Sequence, residues 1–429
     1  MDQLRREIEA FFAPHTPLRK PLLLGFSGGE DSLALATCLR DLEIPFHLAH
    51  FDHGWREESL EEAAQLQEWA EERGIPFHTA RSSSPKKDEL WAREERYAFF
   101  SRLFSEKAFA ALVLAHHQND QAETVLKRIF EGAHLTSLKG MEPISYRGDL
   151  PIWRPFLSIS KEKILAYLEG QGLKPLDDAT NRDLKYLRAR MREKIIPRLS
   201  THFGKEIREP LARLGEEAAE LDAYFKKKTE KLNRGRIEGP FGVLWDFSSF
   251  LPLDPIEIRY ALRPFFGSRA ILDQLTDWII SKAPNKKLSS GGVVVDRSVL
   301  FFIEKPLPKF PEKVPLHSGT HSYGEWEWVV EWEESTELRA PNWRDWWQGK
   351  ISMSLPAGDY ALGPAIGTFR KKWNGDKVPA FLRESLPLVL EDGEPVAEFL
   401  AGHKTTKESD FSCQATISIK NKNVYPENF

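Results

Sequence analysis

The string Leu24-Gly25-Phe26-Ser27-Gly28-Gly29-Glu30-Asp31-Ser32-Leu33-Ala34-Leu35 leads from an apolar segment through a glycine pair into residues at helical spacing. Glycine lets backbone N–H groups close on an anion, and a helix start adds unpaired donors and the positive end of its dipole. The chemistry this permits is the cradling of a phosphate chain by Ser27, Gly28, Gly29, Glu30, Asp31 and Ser32. No lysine follows the glycines, as it would in a loop built to transfer a terminal phosphoryl group. Asp31 would repel a bare phosphate, so its simplest role is to hold Mg²⁺ against the ligand. A plain turn followed by a capped helix is the competing reading of the same residues.

A second set of reactive side chains lies further along. His116 and Asp120 are four residues apart, so a helix already under way there would turn both to one face, with Glu123 about a turn beyond. Such groups could move protons, Glu123 could bind an amine, and the planar fork of Arg96 could steady a phosphate or carboxylate. Each has a structural alternative: histidines satisfying backbone at a strand end, Asp120 capping a helix, Glu123 in solvent. His47, His50 and His53 do not read as a zinc site, because a spacing of three in an extended segment scatters the ligands. Between Arg182 and Arg198 seven Lys/Arg face two acids. Arg182, Lys185, Arg188, Arg190 and Arg192 form a basic stripe suited to RNA phosphates, or else a solvated helix face.

These residues need a frame. Short apolar runs at 22–24, 46–49 and 111–115, a weaker one at 75–78, and helical spacing between them predict an α/β domain over residues 1–200, a parallel doubly wound sheet with helices on both faces. Ser59 with Glu62 reads as a capping box and Gly74 as the stop of that helix. Charged helices follow as a connector over 201–235. A small α+β domain over 236–305 ends in a strand at 293–303. Prolines 306, 308, 311 and 315 open a linker with a tryptophan-rich strand (306–345), where Trp326, Trp328, Val330 and Trp332 alternate with glutamates. A β-rich domain over 346–429 closes the chain, its tail after His403 reading as frayed. The 429 residues suit several domains, and 60 Lys+Arg against 64 Asp+Glu give a net charge of −4, which excludes any argument from overall basicity. Only Cys38 and Cys413 occur, too few for a disulfide framework, a cysteine zinc site or an iron–sulfur cluster. With no apolar stretch of membrane-spanning length and no apolar signal core, the expected place is the cytoplasm.

The string from Ser27 to Ser32 after an apolar strand resembles the signature of the PP-loop ATP pyrophosphatases, which split ATP into AMP and pyrophosphate. Further strings extend the likeness: His50-Phe51-Asp52-His53-Gly54-Trp55-Arg56, Ala92-Arg93-Glu94-Glu95-Arg96-Tyr97, Leu114 to Thr124, Arg154-Pro155-Phe156-Leu157, Asp178-Ala179-Thr180-Asn181 and Arg188-Ala189-Arg190-Met191-Arg192. Taken in this order they resemble the tRNA(Ile)-lysidine synthetases over the first 200 residues. Lys371-Lys372-Trp373 with Val378-Pro379, Arg383 and Pro387 is similar, more weakly, to that family's C-terminal tRNA-binding domain. The sequence departs from the family pattern at Glu131, Leu176 and Ala189, where Arg, Trp and Asn are usual.

The resemblance implies an adenine nucleotide alpha hydrolase-like fold and a ligase that uses ATP, Mg²⁺ and free lysine to convert the wobble cytidine of a CAU-anticodon isoleucine tRNA to lysidine. It implies His116 and Asp120 as catalytic residues, His50 and His53 with the loop at ATP, Arg96 and Glu123 at lysine or phosphate, and Lys371, Lys372 and Arg383 at tRNA. A PP-loop thiolase, an amidating synthetase and a non-catalytic ATP- and tRNA-binding module are the alternatives. Oligomeric state is open, a homodimer being one assembly the sequence allows.

Overall fold

The computed structural model describes residues 2–55, 58–82, 88–175, 184–308, 313–323, 325–334, 342–356, 358–364, 370–385, 388–398 and 413–421. The chain divides into two compact units, residues 1–224 and 225–429.

In the first unit, helix α1 (Asp2–Phe12) leads to β1 (Leu22–Gly25), α2 (Glu30–Asp41), β2 (Phe46–Asp52), α3 (Ser59–Glu71), β3 (Phe77–Arg81), α4 (Glu89–Glu106), β4 (Leu112–Val113), α5 (Gln118–Phe130), β5 (Ile144–Arg147), β6 (Leu150–Trp153) and α6 (Lys161–Gly170). The strands form one sheet in the order β3-β2-β1-β4-β6-β5, parallel except for the edge pair β5 and β6. Leu22, Leu23 and Leu24 are all fully buried. Leu22 and Leu24 enter one apolar cluster and Leu23 the opposite one, so the unbroken apolar run is that of a strand covered on both faces. The expected doubly wound parallel sheet is therefore present. Helix α3 has Ser59 as its first helical residue, one position later than a cap, and Gly74 beyond its end takes φ +64°.

The sheet winds from β1 out to β3 and then returns to add β4 on β1's other side. That reversal opens a crevice at the carboxyl ends of β1 and β4, where α/β sheets bind ligands. Gly25 makes the approach of the two strand ends possible, because a Cβ there would stand 2.7 Å from Leu114 Cδ2 and 3.3 Å from Phe100 Cζ. Helix α7 (Leu187–Arg190), a π-helical turn (Met191–Ile195), α8 (Ile196–Phe203) and α9 (Arg208–Thr229) follow, and the division between units falls within α9.

The second unit holds β7 (Arg236–Gly239), β8 (Gly242–Asp246), α10 (Pro255–Leu262), α11 (Arg269–Ile280), β9 (Lys286–Lys287), β10 (Val293–Asp296) and β11 (Val299–Ile303), with sheet order β7-β8-β11-β10-β9. The stretch 293–303, expected as one strand, is a hairpin turning at Arg297 and Ser298, both at positive φ. Next come β12 (Val314–Pro315), β13 (Gly319–Tyr323), β14 (Trp326–Glu334), α12 (Trp343–Trp347), β15 (Lys350–Leu355), β16 (Tyr360–Gly363), α13 (Arg370–Gly375), β17 (Leu388–Glu391), β18 (Glu394–Glu398) and β19 (Cys413–Asn421). They build two four-stranded sheets, β12-β16-β17-β18 and β13-β14-β19-β15.

The tail expected to fray thus supplies β19, which lies between β14 and β15 and pairs with β14 from Trp326–Asn421 to Glu334–Cys413. Trp326, Trp328 and Val330 face inward, as the alternation requires, and share one core with Trp346, Trp347, Phe241, Leu244 and Phe301. Among the described residues no helix is long and apolar enough to cross a membrane.

Candidate active site

The glycine pair sits between β1 and α2 as a bent loop. Gly28 takes φ +79°, a conformation that would strain a side chain. Ser32 Oγ donates to the Gly29 carbonyl at 3.1 Å and accepts from the Ser27 amide at 3.3 Å, while the Gly29 amide donates to Ser27 Oγ at 3.4 Å. Gly29 is the residue before the first turn of α2, and no side chain caps that helix. The loop is thus held by its own serines, and the uncapped helix start is the kind of place that can offer its amides to an anion. His50 braces the loop from β2, its Nδ1 donating to the Phe26 carbonyl at 2.9 Å. His53 stacks on Trp55 at 5.1 Å between centroids, and Trp55 lies parallel to Tyr186 at 6.1 Å.

At the end of β4 the structure corrects one expectation. Helix α5 begins at Gln118 with His117 as its N-cap, so His116 precedes the helix and shares no helical face with Asp120. His117 takes that place. Its Nδ1 accepts from the Asn119 amide at 3.2 Å, and its own amide donates to Asp120 Oδ2 at 3.1 Å, a reciprocal capping box. Its Nε2 stands 3.6 Å from Asp31 Oδ2 and 3.5 Å from Asp120 Oδ2, linking the phosphate loop to α5. The His-x-x-Asp spacing before a helical run carried this signal.

Burial pushes the His116 imidazole down to about 3, against the pull of Asp120 and with Arg154, Arg188 and Arg96 adding to the effect. His116 is therefore neutral at pH 7 and a weak proton acceptor, and its buried Nδ1 has no hydrogen-bond partner among the described residues. Arg192, reaching in from the π-helical turn, donates through Nε to Glu123 Oε1 at 2.8 Å and through Nη2 to Asp120 Oδ1 at 2.8 Å. The π-helical turn is a device often found at functional positions, because it re-aims one side chain. Glu123 is only 2% exposed, and burial raises its carboxyl above the ordinary glutamate range in spite of Arg192.

Asp120 goes the other way. Burial would raise it, but His117, His116, Arg192 and the His117 amide outweigh burial and hold the carboxyl at about 2. A folded-state value below the unfolded one means stability that is present above the unfolded pKa and lost as pH falls through the folded pKa. Acid unfolding between pH 4 and pH 2 should thus include about 2 kcal/mol from this carboxylate. Denaturant titrations across that window check it: Asp120→Asn should flatten this part of the profile, and an unchanged slope would remove Asp120 from the account.

Arg96 is half-buried, burial lowers its guanidinium, and it makes no ion pair with any described acid. Arg188, Arg190 and Arg192 do not form one stripe. Residues two apart on a helix are separated by about 200°, and Arg190 donates instead to the carbonyls of Leu184 and Lys185. Arg383 spends its guanidinium on the Val378 carbonyl and Asn374 Oδ1. Arg182 lies outside the described residues, as do the side chains of Lys371 and Lys372, whose backbone lies in α13.

A second residue of the site, beside His117, escaped the sequence reading. Lys161 opens α6, and its ammonium lies 2.6 Å from Asp31 Oδ1 and 2.7 Å from Glu30 Oε2. Nothing in the string Ser158-Ile159-Ser160-Lys161 marks it, because its partners are 130 residues away in sequence.

Asp31 fits Mg²⁺, an ion that takes one or two carboxylates and completes its shell with phosphate oxygens and water. Among the described residues no cluster of three or more His, Cys, Asp or Glu could hold a metal by itself. His47 Nδ1 lies 3.0 Å from His78 Nε2 on the next strand, His50 turns to Phe26 and His53, just past β2, stacks on Trp55, so the three histidines do not converge. Cys38 is buried in the core under the sheet, and burial pushes its thiol up to about 12, which removes it as a nucleophile.

Residues 1–199 match the ATP_bind_3 family, a PP-loop domain. The tRNA(Ile)-lysidine synthase of Protochlamydia amoebophila is 35% identical over 424 residues, covering 92% of both chains. The enzyme of the same name from Chlamydia pneumoniae is 44% identical over 229 residues, covering 52% of this chain and 72% of its own. Among solved structures, the U34-tRNA thiolase NcsA of Methanococcus maripaludis with its [4Fe-4S] cluster is similar at 19% identity and a TM-score of 0.41, over 51% of this chain and 78% of that one.

Proposed function

The chain belongs to the tRNA(Ile)-lysidine synthase family, and from that premise we propose that it joins free lysine to C2 of the wobble cytidine in a CAU-anticodon isoleucine tRNA. The observation that carries the reading is the meeting, at the ends of β1 and β4, of a phosphate loop with the buried pair Asp120 and Glu123. One half of the crevice suits a polyphosphate and the other a cationic amine.

Cytosine's C2 oxygen is a poor leaving group, so it must first be adenylated. The oxygen attacks the α-phosphorus of ATP, and the Pα–O bond to the β-phosphate breaks. Amides of the Ser27–Asp31 loop hold the phosphates where the charge develops. Bound Mg²⁺, held by Asp31, would add charge neutralisation there. The lysine ε-amine, ordinarily near pKa 10.4, then displaces AMP and must shed protons. Glu123, whose pKa is raised, is the better acceptor; Asp120, held at about 2, keeps its negative charge and orients the amine. Arg96 takes the lysine carboxylate. His116, neutral and half-buried, lines the place where the pyrimidine would sit, and His50 and His53 support the nucleotide side.

The deciding experiment incubates the protein with CAU-anticodon isoleucine tRNA, ATP, Mg²⁺ and labelled lysine. Acid-stable label in RNA with equimolar AMP and pyrophosphate is expected, whereas ADP with orthophosphate, or tight tRNA binding without incorporation, overturns the reading. The working place of such an enzyme is the cytoplasm, where its substrates meet.

Anticodon bases are unpaired and can be splayed into such a crevice. Binding to tRNA is carried by Lys185 and Arg188 with Arg182, and by Lys371 and Lys372, since Arg190 and Arg383 donate to carbonyls of their own chain. Affinity should fall with salt at a log–log slope of about −0.7 to −0.9 per phosphate neutralised. Lys185→Ala with Arg188→Ala should make the slope shallower by about one to two units in filter-binding titrations. An unaltered slope would remove both from the RNA surface.

A further inference from the structure

At the end of β2 a run of rings leads from the core to the rim of the crevice. Phe99 of α4 is buried and packs on Phe51 at 5.7 Å between centroids, Phe51 meets His53 edge-on at 5.1 Å, and His53 stacks on Trp55 at 5.1 Å. Trp55 then lies within 10° of parallel to Tyr186, at 6.1 Å. His53, Trp55 and Tyr186 are all half-buried, so part of this ring surface reaches solvent at the carboxyl edge of the sheet, where α/β folds bind ligands. Both ends of the stack are held. Gly54 takes φ +65° and its amide donates to Asp52 Oδ1 at 2.7 Å, while Arg81 Nε lies 3.3 Å from Asp52 Oδ2, and this turn brings rings two residues apart face to face. Tyr186 precedes the first turn of α7, its carbonyl accepting from the Arg190 amide at 3.1 Å, and Arg190 Nη1 donates to the carbonyls of Leu184 and Lys185. Lys185 and Arg188 set positive charge on either side of Tyr186. The Arg188 charge is felt at His116 and Glu123, so the start of α7 lies beside the reacting groups.

We propose that Trp55 and Tyr186 form the stacking platform for the anticodon base that follows the wobble cytidine, an adenosine in CAU, and thereby position the cytidine for adenylation. The inference rests on the lysidine-forming reading given above. Aromatic faces flanked by cations suit an unpaired stretch of RNA, the rings taking a base and the cations the adjoining phosphates. The cytidine itself must reach the ends of β1 and β4, whereas the platform belongs to β2 and α7, so it receives a different base of the same loop. Splaying the cytidine out strips its neighbour of a stacking partner, at a cost that falls on every turnover. A preformed ring face offsets that cost, and an indole covers a purine over more area than a pyrimidine, which favours adenosine at this place. Trp55 and Tyr186 act as positioning residues.

The test removes the base as well as the ring. Lysine incorporation by the full-length protein is measured on CAU-anticodon isoleucine tRNA and on the same tRNA with an abasic residue in place of that adenosine, with filter binding beside it. Trp55→Ala should lower kcat/KM at least about tenfold on intact tRNA and less than about twofold on the abasic one, because the indole's partner is already missing there. Trp55→Phe, which keeps a ring face, should stay within about threefold of wild type on intact tRNA; Tyr186→Phe should match wild type, and Tyr186→Leu should follow Trp55→Ala. ATP affinity, by calorimetry, should stay within about twofold throughout. Equal losses for Trp55→Ala on the two tRNAs would make Trp55 a folding residue, a parallel loss of ATP affinity would make it the seat of the nucleotide's adenine, and near-normal turnover would leave it no part; each overturns the proposal. Should wild type bind intact tRNA more tightly than abasic tRNA, through Trp55, yet form no lysidine, the functional reading fails and the platform stands. Should Trp55→Ala fold poorly, Trp55→Phe and Trp55→Leu decide, since both fill the place and only one offers a ring.

Discussion

Asp31→Ala is expected to release pyrophosphate at about 10⁻³ of the wild-type rate or less, while the dissociation constant for tRNA changes no more than about threefold. The size of the effect comes from three roles meeting in one carboxylate. Asp31 stands at the first turn of α2, where it would hold Mg²⁺ and the ion would supply charge neutralisation. It holds Lys161 at 2.6 Å, and it faces His117 Nε2 at 3.6 Å. The substitution would therefore remove the metal's anchor and break the links from the start of α2 to Lys161 and His117, leaving Glu30 to hold Lys161, whereas the basic residues of α7 lie on other elements. Single-turnover measurement of pyrophosphate, with tRNA affinity by filter binding, separates the two. Near-normal turnover would take the metal role away from Asp31, and a parallel collapse of tRNA affinity would make it a folding residue.

The two levels of the structure were unequally legible in the sequence. The doubly wound sheet could be read because its central strands are unbroken apolar runs and its phosphate loop is a contiguous string. Both signals are local, and local signals survive translation into structure. Three features were not local. The hairpin at 293–303 turns on Arg297 and Ser298, residues without the Asn-Gly signature that normally marks positive φ at both turn positions. Strand β19 was hidden because its partners β14 and β15 lie far upstream, and a polar stretch such as Gln414, Thr416 and Ser418 has no apolar run to announce it. Removing residues beyond 345 to probe tRNA binding would thus strip β15 and β19 from the sheet; charge reversal at Lys371 and Lys372 leaves the strands in place. In the site, the contiguous strings located the crevice, but its wiring is made by pairs distant in sequence: Lys161 with Asp31, and Arg192 with Glu123 and Asp120. Arg192 read as an RNA contact because the charge of a segment does not say which way a side chain turns. The π-helical turn that points it inward has no composition signature.

That wiring makes Glu123→Gln the sharpest probe of the second half-reaction. Glutamine keeps the volume and can still accept a hydrogen bond from Arg192, so the buried position stays filled and partnered. What it cannot do is accept a proton from an ammonium or neutralise its charge. Lysine incorporation should fall about 10³-fold, combining loss of a proton acceptor with loss of a buried counter-charge, while pyrophosphate release in the absence of lysine stays within about fivefold of wild type. The two labels therefore come apart: pyrophosphate forms, and RNA-bound lysine does not. Raising the pH should partly restore incorporation in Glu123→Gln, because a larger fraction of the lysine ε-amine is then already neutral and the missing acceptor matters less. Wild type should gain less over the same range, since its carboxyl, raised by burial, would still be there to take the proton. If both labels fall together, Glu123 serves adenylation rather than lysine, and Asp120 becomes the residue that receives the amine.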